Sequence, residues 1–170
     1  MTSYQTRLEA AKRKGQKQAD EFNALHPVGT PALAYPGVRP EDGVDEVLFT
    51  HTRTEVQVSA CGDLVVWVDG HGAYINFTHV DPVTEEQWHQ ARIDHDEATK
   101  ARRAALLDEI RAYPTQWTLE RAAFAMRRLG FKGFSERTAR ADLEALAADG
   151  HLAPVTEVVV RHYDLTGGAS

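Results

Sequence analysis

The spacing of apolar residues changes several times along the chain and divides it into segments of different secondary structure. From Ser3 to Leu25 the sequence is polar and rich in helix-forming residues, with few sizeable apolar positions and a glycine at Gly15. This pattern predicts an N-terminal helix within residues 1–25. The next stretch, residues 26–37, contains too much proline and glycine for a helix and predicts short extended segments.

Apolar and polar residues then alternate at the spacing of β-strands. Residues 46–60, 63–69 and 73–80 are rich in β-branched and aromatic side chains, and glycines at the turns between them suit tight hairpins. Because such short strands cannot cover both faces of an open sheet, the pattern predicts a small antiparallel β-barrel over residues 26–83. The strand and hairpin at residues 63–72 resemble part of an SH3-like barrel.

A second helix is predicted to begin after Thr84. The run Thr84-Glu85-Glu86-Gln87 is a capping-box pattern, in which the threonine hydroxyl and the glutamine side chain satisfy free amides of the first turn. With no glycine or proline before Pro114, this helix could run to Tyr113, but the charged segment from residue 94 to residue 100 favours a change of direction. We therefore expect a connecting helix over residues 84–97 and a separate domain from residue 98 onwards.

Two capped amphipathic segments with a short turn between them follow in the C-terminal third. Thr118 is a good N-cap for the first segment, which continues with apolar residues at helical spacing to Gly130. Ser135 caps the second segment, which ends at Gly150. The apolar stripe of this second helix consists of Ala139, Leu143, Leu146 and Ala147. The pair predicts a helix-turn-helix.

Two β-rich runs between residues 151 and 164 predict a wing behind the second helix. The chain is therefore expected to be α+β, with an N-terminal helix, a small antiparallel β-barrel, and a winged helix-turn-helix domain over residues 98–165 before a flexible tail at residues 166–170. The second helix resembles the recognition segment of DeoR-type winged helix regulators. The matching residues are Ser135, Thr138, Arg140, Asp142, Leu143, Leu146 and Gly150. Ala141 departs from the pattern, since that family commonly has a second arginine there.

The exposed side of the second helix contains the candidate residues for DNA recognition. In helix-turn-helix proteins the first turns of this helix enter the major groove, where an arginine reads guanine through two hydrogen bonds. Arg137 and Arg140 are the main candidates for this role. The full base-reading set is Ser135, Glu136, Arg137, Thr138, Arg140 and Ala141. Four basic residues near the inter-helix turn and on the wing are candidates for phosphate contacts: Arg127, Arg128, Lys132 and Arg161.

Charge is distributed unevenly along the chain, whose formal net charge is −6. Residues 1–20 contain five basic and two acidic residues, residues 21–97 contain three and fourteen, and residues 98–170 contain eleven and nine. An acidic middle region would repel DNA, so we expect it to bind a protein partner or to mediate oligomerisation. The basic residues near Lys12 fit either a solvated helix face or an arm that follows the DNA backbone.

The sequence contains no recognisable arrangement for catalysis. His89 and His95 belong to the densest polar cluster, but their spacing places them on different sides of a helix, and no metal site is expected. No glycine-rich phosphate loop or nucleophile motif is present, so neither an enzyme nor a cofactor is expected. Cys61 is the only cysteine, which excludes an internal disulfide and, with the lack of long apolar runs, indicates a cytoplasmic protein that does not cross a membrane.

These observations favour a sequence-specific DNA-binding protein, a transcriptional regulator of a bacterium, phage or plasmid. Its expected partners are double-stranded DNA and a second copy of the chain, because one winged helix contacts few bases. The alternative is a protein-binding adaptor or antirepressor that uses the acidic barrel and the winged helix as docking surfaces. A third hypothesis is a ligand sensor with its pocket in the barrel.

Overall fold

The computed structural model describes residues 3–39, 46–131, 134–156 and 161–165. Within these ranges the chain is α+β, as predicted, with four α-helices, eight β-strands and a single 3₁₀ turn. The chain divides into two compact units, Met1–Ile93 and Asp94–Ser170, which we call the N-terminal unit and the C-terminal unit.

Helix α1 (Ser3–Leu25) packs on the strands of the N-terminal unit. Its backbone comes close to them at Gly15, where a Cβ atom would lie 3.4 Å from Val58 Cγ2. Asn23 fixes the last turn, because its side chain accepts a hydrogen bond from Val56 N at 2.9 Å and donates one to Val56 O at 3.0 Å. The N-terminal segment is thus a docked helix, held by both packing and polar contacts.

The described strands of the N-terminal unit form two three-stranded antiparallel sheets. In the first, the order is β2 (Leu48–His51), β1 (Pro31–Ala34) and β6 (Val80–Pro82), and Ala34 pairs with both Leu48 and Val80.

The second sheet has the order β3 (Gln57–Val58), β4 (Leu64–Val66) and β5 (Ile75–Asn76). A 3₁₀ turn, Phe77–His79, leads from β5 directly into β6. The two sheets are therefore connected both along the chain and through the packing of their apolar faces.

The predicted closed barrel is wrong for the described part of the chain. One isolated bridge between Thr52 and Val68 joins the two sheets, and strands of two to four residues provide too few backbone pairs to close a barrel. Helix α1 covers apolar strand residues that a closed barrel was expected to bury. Ala19 of this helix is fully buried in the same core as the strands. The other buried residues of this core lie in the strands or directly beside them: Ala32, Ala34, Val56, Val66, Val68, Ile75 and Val80.

Helix α2 (Glu85–Ala112) runs from the N-terminal unit into the C-terminal unit without a break. The predicted capping box at its start is confirmed, because Thr84 N donates to Gln87 Oε1 at 2.9 Å and Gln87 N donates to Thr84 Oγ1 at 3.2 Å. Residues 94–100, where the sequence suggests a change of direction, are helical throughout. Their charged side chains are solvated, and no glycine or proline interrupts the backbone hydrogen bonds there.

Two short helices follow in the C-terminal unit, α3 (Leu119–Arg128) and α4 (Glu136–Ala148). Each ends as predicted at a glycine with left-handed backbone, Gly130 with φ of 93° and Gly150 with φ of 80°. After α3 the amides of Gly130 and Phe131 donate to carbonyl groups of the last turn, and Gly150 and the residue after it do the same after α4. These bonds satisfy carbonyl groups that a helix end otherwise leaves unpaired.

A small antiparallel sheet follows the second of these helices. Strand β7 (Leu152–Thr156) pairs with β8 (Arg161–Leu165), and Trp117 forms a bridge to Tyr163 on the other side of β8. The core of the C-terminal unit contains residues from all of these elements. It comprises Leu106, Leu107, Ile110, Trp117, Ala122, Ala123, Ala125, Met126, Phe134, Ala139, Leu143, Leu146, Leu152 and Tyr163.

The turn between β4 and β5 contains two glycines with different backbone requirements. Gly70 has φ of 74°, whereas Gly72 lies outside the left-handed region and has open space around its Cα. We expect Gly70→Ala to lower the free energy of unfolding by about 1 kcal/mol, because an L side chain is strained at positive φ, and Gly72→Ala to change it by less than about 0.5 kcal/mol. Urea denaturation followed by circular dichroism compares the two variants. Equal effects would contradict the assigned turn geometry.

Candidate nucleic-acid interface

The N-terminus of α4 is held by hydroxyl groups. Ser135 Oγ accepts a hydrogen bond from Thr138 N at 3.1 Å and lies 3.0 Å from Thr138 Oγ1. Thr118 caps α3 in the same way, accepting from Arg121 N at 3.2 Å. Both caps match the sequence prediction, and they fix where each helix of the pair begins.

One face of α4 is buried and the other is open to solvent. Of the six residues predicted to read bases, four are exposed and two, Ser135 and Thr138, are half-buried because they form the cap. The exposed four are Glu136, Arg137, Arg140 and Ala141. All six therefore lie within the first two turns of α4, at the end where a helix meets DNA in helix-turn-helix proteins.

Asp142 lies on the buried face of α4 and is fully inaccessible to solvent. Its carboxylate accepts hydrogen bonds from Arg102 Nε at 2.7 Å, Arg102 Nη2 at 2.9 Å and Arg103 Nε at 3.0 Å. Both arginines belong to α2 and are partly buried, with 22% and 36% of their side chains exposed. This three-residue cluster, which we call the Asp142 clamp, ties α4 to α2.

The clamp fixes α4 because a buried carboxylate is very unfavourable without partners. Two arginines on adjacent positions approach both carboxylate oxygens, so rotation of α4 about its axis would break charge-assisted hydrogen bonds. The sequence pattern identifies Asp142 only through a resemblance and does not reveal this role. The available signal was its position beside Leu143 on the apolar stripe, where a carboxylate needs a buried cation.

The predicted phosphate contacts are partly engaged within the protein. Arg127 Nη1 donates to the carbonyl oxygen of Phe134 at 2.9 Å, across the turn between α3 and α4. Arg128 forms a close ion pair with Glu109, whose side chain is mostly buried. Lys132 lies outside the described residues. Arg161 is the first residue of β8, and its side chain is not among those described.

The exposed face of α4 is nearly balanced in charge. Arg137 and Arg140 share it with Glu136 and Glu144, and all four side chains are exposed. Unlike Arg127 and Arg128, Arg140 makes no hydrogen bond or ion pair through its guanidinium within the described part of the chain. A balanced face provides little general attraction for polyanions, so recognition there would depend on individually placed arginines.

Comparisons with protein-family models, with curated proteins and with solved structures find no match to this chain. Across the described ranges, no helix combines the length and apolar character needed to cross a membrane. No group of three or more His, Cys, Asp or Glu side chains within those same ranges is arranged to hold a metal ion.

The Asp142 clamp predicts that a conservative substitution at Asp142 lowers the stability of the C-terminal unit. Replacing the carboxylate by an amide (Asp142→Asn) removes the buried negative charge and should destabilise the C-terminal unit by about 2 to 3 kcal/mol. This loss is smaller than the loss expected for a fully buried ion pair, because both arginine side chains reach solvent. The control is Asp149→Asn, at the exposed C-cap of α4, where we expect a change below about 0.5 kcal/mol. Thermal and urea denaturation measure both. Similar stabilities for the two variants would show that the clamp is not required.

Proposed function

We propose that the C-terminal unit is a winged helix-turn-helix domain that binds double-stranded DNA with α4 as its recognition helix. The order of elements supports this, with α2, the single bridge from Trp117 to β8, α3, α4 and then the β7–β8 pair. In winged helix domains the helix that precedes the wing enters the major groove. Strands β7 and β8 would form the wing.

The observation that carries the proposal is the difference in role among the residues that resemble the DeoR-type pattern. Most of them stabilise the fold. Ser135 and Thr138 form the cap, Asp142 forms the clamp, Leu143 and Leu146 fill the core, and Gly150 ends the helix. Arg140 is the exception, since it is exposed and without a polar partner in the described chain. A residue that matches a recognition pattern but does not stabilise the fold is a strong candidate for reading DNA.

Two features suggest how the remaining contacts would be made. The helix N-terminus of α4 presents backbone amides at its first turn, which favours a phosphate near Ser135. A second copy of the chain would place another α4 about one helical turn of DNA away, which supplies the contacts that one near-neutral helix face lacks. We therefore propose a homodimer that acts as a transcriptional regulator of a bacterium, phage or plasmid.

Arginine substitutions test base recognition on DNA obtained by selection from a random library with the purified protein. We expect Arg140→Ala and Arg137→Ala each to weaken binding by about 1 to 3 kcal/mol and to relax the preference at one base position. Arg111→Ala removes the same charge from an exposed site on α2, where Arg111 pairs with Asp108, and should leave the affinity nearly unchanged. Mobility-shift titrations compare the three variants. If both α4 variants bind as tightly and selectively as the parent protein, the recognition helix is misassigned.

Salt dependence tests the electrostatic part of the proposal separately. Because Arg127 and Arg128 have partners within the protein, we expect a dimer to neutralise only about four to six phosphates. This corresponds to a loss in affinity of about 150- to 2,000-fold between 50 and 200 mM salt. Fluorescence anisotropy with labelled DNA at several salt concentrations gives the slope. Binding that is independent of salt would exclude phosphate contacts and contradict DNA binding by this unit.

A protein-docking function is the second candidate, and a groove with exposed aromatic side chains on the C-terminal unit favours it. Phe124 and Tyr113 are 64% and 51% exposed and line this groove with the buried Trp117, around a volume of about 290 Å³. Clustered exposed apolar side chains are typical of interaction surfaces. An adaptor or antirepressor of this kind predicts that the library selection enriches no DNA sequence, and that Phe124→Ala abolishes partner binding whereas Arg140→Ala does not.

A further inference from the structure

The second sheet of the N-terminal unit has one face in the core and one face that points outward. Antiparallel pairing places Gln57, Val65 and Asn76 side by side in one row. Because side chains alternate along a strand, residues two positions away share this outward face. These residues are Ser59, Asp63, Trp67 and Tyr74. The neighbouring positions Val66 and Ile75 pair on the opposite face and belong to the core.

The outward face is concave rather than flat. Its residues line a pocket of about 380 Å³, which lies within the range of ligand-binding pockets. Val65 is only 4% exposed although it points away from the core, so the surrounding side chains cover it and it forms an apolar floor. Trp67 and Tyr74 form an edge-to-face pair with ring centroids 5.7 Å apart, and Tyr74 remains 58% exposed. We call this pocket the sheet-face pocket.

The charges around the sheet-face pocket favour a cation. Asp63 is exposed, and its carboxylate makes no ion pair within the described chain. None of the described lining residues is basic, and residues 21–97 contain fourteen acidic against three basic residues. One of those three, Arg53, donates a backbone hydrogen bond to Trp67 O at 2.8 Å and is not among the described lining residues. Aromatic faces and a carboxylate each attract ammonium and guanidinium groups.

We infer that the sheet-face pocket binds a basic segment of a partner protein, with one lysine or arginine side chain against Trp67 and Tyr74 and a second one near Asp63, at the other end of the row. Asp63, Val65 and Trp67 follow one another along this face, so an extended segment can lie beside them with its basic side chains in the pocket. This inference concerns the N-terminal unit and stands whether or not the C-terminal unit binds DNA.

Titration calorimetry with the full-length protein tests it, using a synthetic probe of arginine and lysine residues alternating with glycine and a matched probe in which glutamate replaces every basic residue. We expect the basic probe to bind and the acidic probe not to bind. Tyr74→Ala and Trp67→Ala should each weaken binding of the basic probe by about 3- to 30-fold, and Asp63→Asn should weaken it and reduce its salt dependence.

Two control variants match the chemical changes at sites away from the pocket. Tyr113→Ala removes an exposed aromatic ring and Asp149→Asn removes an exposed carboxylate, both in the C-terminal unit, and neither should change the affinity for the basic probe. Circular dichroism checks that each variant is folded. If Trp67→Ala unfolds the protein, Tyr74→Ala still tests the pocket, because Tyr74 is exposed. The inference is overturned if the basic probe does not bind, if the acidic probe binds equally well, if Tyr74→Ala and Asp63→Asn leave the affinity unchanged, or if the pocket instead mediates self-association of the chain.

Discussion

Asp142 has no solvent-accessible surface, and its ion pairs with Arg102 and Arg103 determine how α4 is held in the C-terminal unit. A buried carboxylate has to find cations nearby, and these two lie next to each other on α2, so the two helices are locked in register. Since Asp142 is on the same side of α4 as the core residue Leu143, the opposite side faces solvent with Arg140. The proposed recognition surface is therefore a consequence of where one negative charge is buried.

The clamp also reduces the positive charge that the C-terminal unit has available for a partner. Residues 98–170 contain eleven basic residues, but at least four arginine side chains there bind groups within the protein. These four are Arg102, Arg103, Arg127 and Arg128. A weak net charge leaves little non-specific attraction for DNA, so selective binding would rest on Arg137 and Arg140 and on a second copy of the chain. In the proposed account, the acidic N-terminal unit would supply a separate surface that binds cations.

Features that depend on near neighbours in the sequence were predictable, whereas those that depend on distant partners were not. The caps at Thr84 and Ser135 and the helix end at Gly150 follow from local hydrogen bonding, and the structure confirms them. The clamp joins residues forty positions apart, so no local pattern could pair Asp142 with Arg102. The prediction of a closed barrel was wrong for a similar reason. The packing of α1 on the strands joins distant parts of the chain, which no local pattern shows. The likeness of α4 to a recognition helix was predicted from the sequence, but its use for DNA remains a proposal.

Nuclear magnetic resonance of the ¹⁵N-labelled protein, titrated with DNA from the random-library selection, tests the central claim most directly. Arginine Nε resonances report each side chain separately. We predict that the signals of Arg137, Arg140 and the first-turn amides of α4 shift on binding, while those of Arg102 and Arg103 keep their positions because they stay bound to Asp142. Shifts concentrated around Phe124, or no change on α4, would contradict the assignment of α4 as the DNA-binding helix.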